Sequence, residues 1–326
     1  MLVPPVRVRT SLKRILPDFV WNAMRAALLS ERTAAIERVV HIVVRGGLLL
    51  SLKVALSSDY VIAYWWDPGR FGNFGDALNP LLIEALSGKK VVHCWKVFNL
   101  ARKPVYYVIG SILRGVGNTA VVWGSGFIDS RDKLRRFPRK VTAVRGPLTR
   151  RKLLELGVDC PEVYGDPALL CPKFFRPSTA KRHSLGIVPH RADWRSPVLE
   201  KLRLLPDVSM IDVTCSVEEV IRGITECEFI ASSSLHGLIV ADAYGIPSVW
   251  VKISDKIGGD DFKFSDYFQS VGREDAPPAQ ITADTTLSDL LSARTEYRIK
   301  LDLGKLVEAC PFTDGKQSAD MARSNV

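Results

Sequence analysis

The 326-residue sequence predicts an α/β protein of two lobes, each a run of mainly parallel βαβ units, behind a basic N-terminal helical segment. Three observations carry this. The chain is longer than the roughly 250–300 residues at which a single core stops growing, so two lobes are expected. From Asp59 onward, apolar runs of strand length alternate with glycine-rich turns and helical stretches, the pattern of parallel βαβ units. Between Cys171 and Lys181, Pro172, Pro177, Ser178 and Thr179 separate two such series. The expected parts are therefore a basic segment over 1–58, a first lobe over 59–175, a second over 182–270 and a C-terminal extension over 271–326.

The N-terminal segment is not expected to be a secretory signal. Pro4, Pro5 and basic residues through Arg14 precede no apolar run with a small-residue cleavage site. Residues 39–56 are the most apolar stretch, yet His41, Arg45 and Lys53 interrupt it and Gly46-Gly47 breaks it. That falls short of the roughly 20 mostly apolar residues of a spanning helix. Two readings stay open: a helical pair packed on the body, and a basic segment lying on an anionic bilayer.

The first strand is expected over 60–66, followed by a loop over 67–75 with three glycines and a helix over 76–86. Further strands are expected at 105–109, 120–123, 141–144, 185–188, 208–213, 228–231 and 248–252. In open parallel sheets ligands sit beyond the carboxyl ends of the strands, so the residues just after each strand are where chemistry is sought.

Composition narrows the function classes. A chain that is 47% hydrophobic and 25% charged is neither disordered nor fibrous. The six cysteines are scattered without a C-x-x-C pair, which suggests neither a zinc ribbon nor a disulfide framework and fits a reducing compartment. No metal-ligand cluster is read. The net charge of +10 calls for anionic company. It is concentrated: residues 131–152 hold ten Lys or Arg against Asp132, and residues 1–60 hold nine against four acids. The remainder is slightly acidic and carries no nucleic-acid-binding signature, so no nucleic-acid partner is expected.

Four junctions stand out. Gly72-Asn73-Phe74-Gly75-Asp76 follows the first strand; its glycines let backbone N–H groups approach an anion, and Asp76 is placed to cap the helix or meet a sugar hydroxyl. It is no P-loop, and Gly124-Ser125-Gly126 lacks the third glycine of a dinucleotide fingerprint. Arg145-Gly146-Pro147-Leu148-Thr149 sets an arginine fork at a strand end before a helix that Pro147 opens and Gly157 ends. Gly165-Asp166-Pro167 is a turn presenting a carboxylate. In Ser232-Ser233-Ser234-Leu235-His236-Gly237, a serine N-cap leads into a helix whose first turn holds His236, where free N–H groups welcome an anion; Gly245 ends that helix. His190 after Val188-Pro189 is analogous.

With these motifs in this order, the chain resembles the polysaccharide pyruvyl transferases. The resemblance rests on Asn73-Phe74-Gly75-Asp76, Arg145-Gly146-Pro147-Leu148-Thr149, Gly165-Asp166-Pro167-Ala168, Val188-Pro189-His190 and the run from Leu235 to Ala243, and it covers about residues 60–270. It implies two Rossmann-like lobes in a glycosyltransferase-B-like arrangement. The implied reaction is transfer of pyruvate from phosphoenolpyruvate, a co-substrate with no cofactor, to a sugar of a cell-surface glycan or its lipid-diphosphate-linked precursor, giving a ketal. One departure stands: many members carry arginine two residues before the histidine, where this chain has Ser234.

The implied roles follow. Arg145, Ser233, Ser234, His236 and Gly237 would hold the donor, with Lys252 or Lys256 supplying charge. His236 would protonate the methylene or bind the leaving phosphate. Asp76 or His190 would deprotonate the acceptor, with Asn73, Asp76 and Asp166 contacting it. The expected setting is cytoplasmic, peripheral on the anionic inner face of the membrane. Two other classes are weighed: a nucleotide-sugar glycosyltransferase of the same two-lobed fold, for which Glu218 and Glu226 have E-x7-E spacing, and a non-catalytic glycan-binding protein.

Overall fold

The computed structural model describes residues 46–66, 72–177, 180–295 and 297–312. Most of the expected basic N-terminal segment and the loop tip at 67–71 thus lie outside the described residues. The chain divides into two compact units, a smaller one of Met1–Tyr60 with Val92–Lys103 and a larger one of Val61–Val91 with Pro104–Val326. In the smaller unit, α1 (Gly47–Leu56) begins after Gly46, whose φ of 70° places it in the left-handed region. Ser51 is buried and its Oγ accepts from the Phe98 N–H at 2.9 Å. Leu49, Leu52 and Leu56 are 70%, 45% and 87% exposed.

The larger unit holds nearly all of two five-stranded sheets. The first carries β1 (Tyr60–Tyr64), α2 (Phe74–Ser87), β2 (Lys90–His93), β3 (Val105–Tyr107), β4 (Ala120–Trp123), β5 (Lys140–Ala143) and α3 (Pro147–Glu155). A 3-10 helix, Pro167–Lys173, leads toward β6 (His183–Val188), α4 (Glu200–Arg203), β7 (Val208–Met210), α5 (Val217–Thr225), β8 (Cys227–Ser232), α6 (Leu235–Ala243), β9 (Ser248–Lys252), α7 (Phe262–Val271) and β10 (Ala279–Gln280). Two short helices follow, α8 (Leu287–Ser292) and α9 (Leu303–Glu308).

The sheet orders are β2-β1-β3-β4-β5 and β10-β9-β8-β6-β7. Both sheets are wound alike: the second strand lies on one side of the first, and the next three build outward on the other. The order therefore reverses between β1 and β3 and again between β6 and β8, and those pairs are parallel. Beyond their carboxyl ends lie the crevices where such sheets bind ligands. Strands covered on both faces read as unbroken apolar runs, as in the fully buried β4, Ala-Val-Val-Trp. β2 and β10 carry no such run. Both sit at sheet edges, are four and two residues long, and are only partly buried.

One apolar core spans both lobes. It takes Phe74, Leu78 and Leu82 from α2, Val220 and Ile224 from α5, Leu238 and Ile239 from α6, and Leu169 and Leu170 from the 3-10 helix. Each such side chain, fully buried, contributes about 1.5–3 kcal/mol. Residues after 270 join both lobes: β10 extends the second sheet, and the Trp123 Nε1–H donates to Leu306 O at 2.8 Å beneath the first. Asp242 on α6 anchors this return. Its carboxylate accepts from Tyr267 Oη at 2.7 Å, from Tyr297 Oη and from Arg273 Nη1 at 3.0 Å, and burial raises its pKa despite these partners.

Candidate active site

A cleft of about 370 Å³ opens where the two switch points face each other. The first lobe supplies Trp66, Asn73 and Asp76 after β1 and Gly110, Ser111 and Ile112 after β3. The second supplies His190 and Arg191 after β6, Ser234, Leu235 and His236 after β8, and Lys263 in the first turn of α7.

Local sequence fixes Asp76. Pro80 inside α2 has no N–H to give the Asp76 carbonyl, and Asn79 Nδ2 donates there instead at 3.1 Å. The side chain is not a helix cap, since Asn73 holds the N-cap position. Its Oδ1 accepts from the Trp66 N–H at 2.9 Å and its Oδ2 from Asn73 Nδ2 at 2.5 Å. Burial outweighs these contacts and the charges of His236 and Arg191, raising its pKa to about 6. The result is a carboxylate poised near neutrality.

His236 stands in the first turn of α6, with Ser234 as N-cap. Its Nε2 is buried and lies 3.7 Å from Asp166 Oδ2, and neither atom has a hydrogen-bond partner among the described residues. Asp166 Oδ1 is occupied by the Ala168 N–H at 3.0 Å. The imidazole rests on Gly75, where a built Cβ would come within 2.0 Å of Nδ1. Only glycine admits this approach of α2 to α6. His190 is held at its backbone, whose N–H donates to Ser233 Oγ at 2.9 Å; burial, then Lys263, lowers its pKa to about 4, so the ring is neutral at pH 7.

Several expected site residues are placed elsewhere. Arg145 is fully buried and does not face the cleft. Its Nε donates to Asp266 on α7 at 3.0 Å, its Nη2 to Phe127 O at 2.7 Å, and its Nη1 to Ser111 Oγ at 2.6 Å. It reaches the cleft only through Ser111, because a buried guanidinium must be paired and hydrogen-bonded on every side. Lys252 points out of the cleft to Asp255 at 2.7 Å. Ser233 and Gly237 are buried under the junction and do not line the cleft; a Cβ on Gly237 would strike Ser232 Oγ. Asp166 lies behind His236, buried and out of acceptor reach. Glu218 is exposed and Glu226 faces Arg182 at 3.6 Å, and neither lines the cleft.

The cations that do line it are Arg191, exposed, and Lys263, whose pKa burial and then Arg145 lower to about 8. Arg191 was legible as the neighbour of His190 beyond β6. Lys263 had no sequence signal, since a lysine opening a helix reads as solvated surface. Among the described residues no group of three or more His, Cys, Asp or Glu is placed to hold a metal ion.

A model of the family described as polysaccharide pyruvyl transferase matches residues 73–255, from the Asn73 that braces Asp76 to just past β9. The chain belongs to that family, and it is a transferase of the polysaccharide pyruvyl class. It is 30% identical over 221 residues to the succinoglycan biosynthesis protein ExoV of Rhizobium meliloti (strain 1021), covering 64% of this chain and 64% of that protein. An uncharacterised protein of Acanthamoeba polyphaga mimivirus is 29% identical over 211 residues, 62% of this chain and 72% of the relative. The matched span of this pyruvyl transferase thus falls short of two-thirds of the succinoglycan protein's length. Both motif-bearing junctions, around Asp76 and around His236, fall inside the residues the family matches.

Proposed function

We propose that the cleft moves pyruvate from phosphoenolpyruvate to a sugar of a cell-surface glycan. One observation carries the reading: the switch points of opposite lobes bring a carboxylate with a pKa of about 6, a helix-N-terminal histidine and two cations into one cleft. Lys263, Arg191 and the Leu235 and His236 N–H groups at the start of α6 receive the donor's phosphate and carboxylate. Lys263 and Arg191 thereby supply the charge that Ser234 lacks.

The chemistry then balances. Asp166 lies behind the Nε2 side of His236 at 3.7 Å, and the ring passes a proton to the donor's methylene carbon, making it a methyl group. The adjacent carbon becomes oxocarbenium-like; a sugar hydroxyl adds to it and yields its proton to Asp76. Inorganic phosphate leaves with the electron pair of the broken C–O bond. A second hydroxyl of the same sugar closes the ketal, and its proton leaves with phosphate. Two hydroxyl protons are lost; one replaces that given by His236 and one accompanies phosphate.

The direct test supplies phosphoenolpyruvate or nucleotide sugars to purified protein with cell-envelope glycan extracts. Phosphate release with a new pyruvyl ketal by mass spectrometry is expected. Nucleotide release without turnover of phosphoenolpyruvate would give the cleft to glycosyl transfer instead, and glycan binding without either would make it a binding module.

We further propose that the protein works on the inner face of the cytoplasmic membrane. No helix of the described residues is long and apolar enough to cross a membrane. Exposed Leu49, Leu52 and Leu56 share one stripe of α1 beside Lys53, as in helices that lie in the headgroup layer. Each surface lysine or arginine near an anionic leaflet adds about 1 kcal/mol, so vesicle flotation should show binding to anionic but not neutral liposomes, weakening with salt. Unchanged flotation after Leu49, Leu52 and Leu56 are made serine would remove α1 from that role.

A further inference from the structure

Beside the cleft runs a second groove of about 660 Å³, and the two share Ile128 and Gly258 as a common wall. Its cations come from Arg114 in the turn after β3 and from Arg131, Lys133 and Arg135 in the loop between β4 and β5. The groove's own carboxylates are engaged. Asp129 holds Arg131 at 2.8 Å, and Asp132 accepts from the Ile128 and Asp129 N–H groups at 3.2 and 3.3 Å. Arg114 comes no nearer than 4.0 Å to Asp132 and its side chain is 66% exposed. Lys133 and Arg135 are exposed and have no ion pair or side-chain hydrogen bond among the described residues. Two unpartnered cations, Lys133 and Arg135, together with the exposed and only distantly paired Arg114, line a concave wall, repel one another and favour an oxyanion between them.

We propose that this groove is the anion subsite for the acceptor: the glycan carries a phosphate or carboxylate group that Arg114, Lys133 and Arg135 hold while the sugar to be modified reaches past Ile128 into the cleft. The assignment to an acceptor rests on the pyruvyl-transfer reading of that cleft. The shared wall gives the reason. A group seated in the groove lies on the same molecule as a sugar in the cleft without crossing protein, and donor and acceptor charges are then held by separate sets of cations. Neutral glycans become poor acceptors.

The test compares the full chain with its K133Q/R135Q variant, both positions being exposed and outside the catalytic machinery. Inorganic diphosphate and trigalacturonate are titrated calorimetrically at low salt, with and without saturating phosphoenolpyruvate to fill the cleft. The expected result is binding of at least one probe by the parent protein with the donor present, about tenfold weaker in the variant, with donor affinity unchanged. Diphosphate alone assigns a phosphate-bearing acceptor, trigalacturonate alone a uronate-bearing one, and both together a general oxyanion site. Binding of neither probe, or equal binding by parent and variant, overturns the subsite. Failure of phosphoenolpyruvate itself to bind would count against the cleft reading, while the donor-free titrations would still judge the groove.

Discussion

The junctions β5–α3 and β8–α6 begin alike, each a parallel strand running into a helix N-terminus with a chargeable side chain at the turn, and they end differently. At the first, Arg145 is fully buried and tied to Asp266, which also accepts from the Thr149 N–H at 2.8 Å and Thr149 Oγ1 at 2.7 Å. A Cβ on Gly146 would overlap the Asp266 carbonyl, so α7 of one lobe is pressed onto α3 of the other. At the second, no such strut lies over the helix start among the described residues, and Ser234, Leu235 and His236 line the cleft. A strand-to-helix junction is an anion site only if no other element seals it, and here one junction became a strut between lobes while its counterpart stayed open.

Removing the open junction's histidine should have the largest effect. His236→Ala is expected to lower kcat for pyruvyl transfer by about 10²- to 10⁴-fold with the fold intact by circular dichroism. Undiminished turnover would take proton transfer away from this ring. Asp166→Asn should lower kcat less and leave the KM for phosphoenolpyruvate unchanged, as befits a residue acting through His236.

The sealed junction should answer in stability. Arg145→Ala leaves Asp266 charged and unpaired inside the protein, an expected loss of about 3–5 kcal/mol in denaturant unfolding. Arg145→Met combined with Asp266→Asn leaves no buried charge, and most of that loss should return. If the double variant is no better than the single, the ion pair is not what makes the site costly to disturb. Gly75→Ala tests the approach of α2 to α6: overpacking should cost about 1–3 kcal/mol and displace His236, so activity falls further than stability alone accounts for.

The smallest effects are those of pH. With Asp76 at about 6 and Lys263 at about 8, kcat/KM should rise as Asp76 ionises and fall as Lys263 loses its charge. The alkaline limb should appear in the KM for phosphoenolpyruvate and vanish in Lys263→Met. Stability follows the opposite sense at Asp76. Its folded pKa lies above its ordinary value of 3.8, so the stability it lends is full below about 3.8 and is lost as pH rises through about 6. Asp76→Asn should therefore unfold at least as late as the parent at pH 8, by up to about 3 kcal/mol, while losing activity. A less stable Asp76→Asn at pH 8 would mean that the bonds from Trp66 and Asn73 outweigh desolvation.

By itself the sequence determined the alternating βαβ order, the place of several helices to within a residue or two, and the set of junctions among which the chemistry lies. These are local properties: β4 spans residues 120–123 as its apolar run predicts, Pro147 opens α3, and Ser234 takes the N-cap position of α6, though without a side-chain capping bond. The weak edge strands β2 and β10 escaped because pairing with a neighbour, not their own residues, makes them strands. Tertiary structure alone decided which charged groups face the cleft. Arg145 was withdrawn by Asp266, 121 residues away, and Lys263 was brought in by the packing that placed α7 against α3. Asp166 was turned from a presented carboxylate into a support behind His236. The physical reason is that a charge's energy depends on desolvation and on partners from any part of the chain, whereas periodicity and capping depend on neighbours within one or two turns.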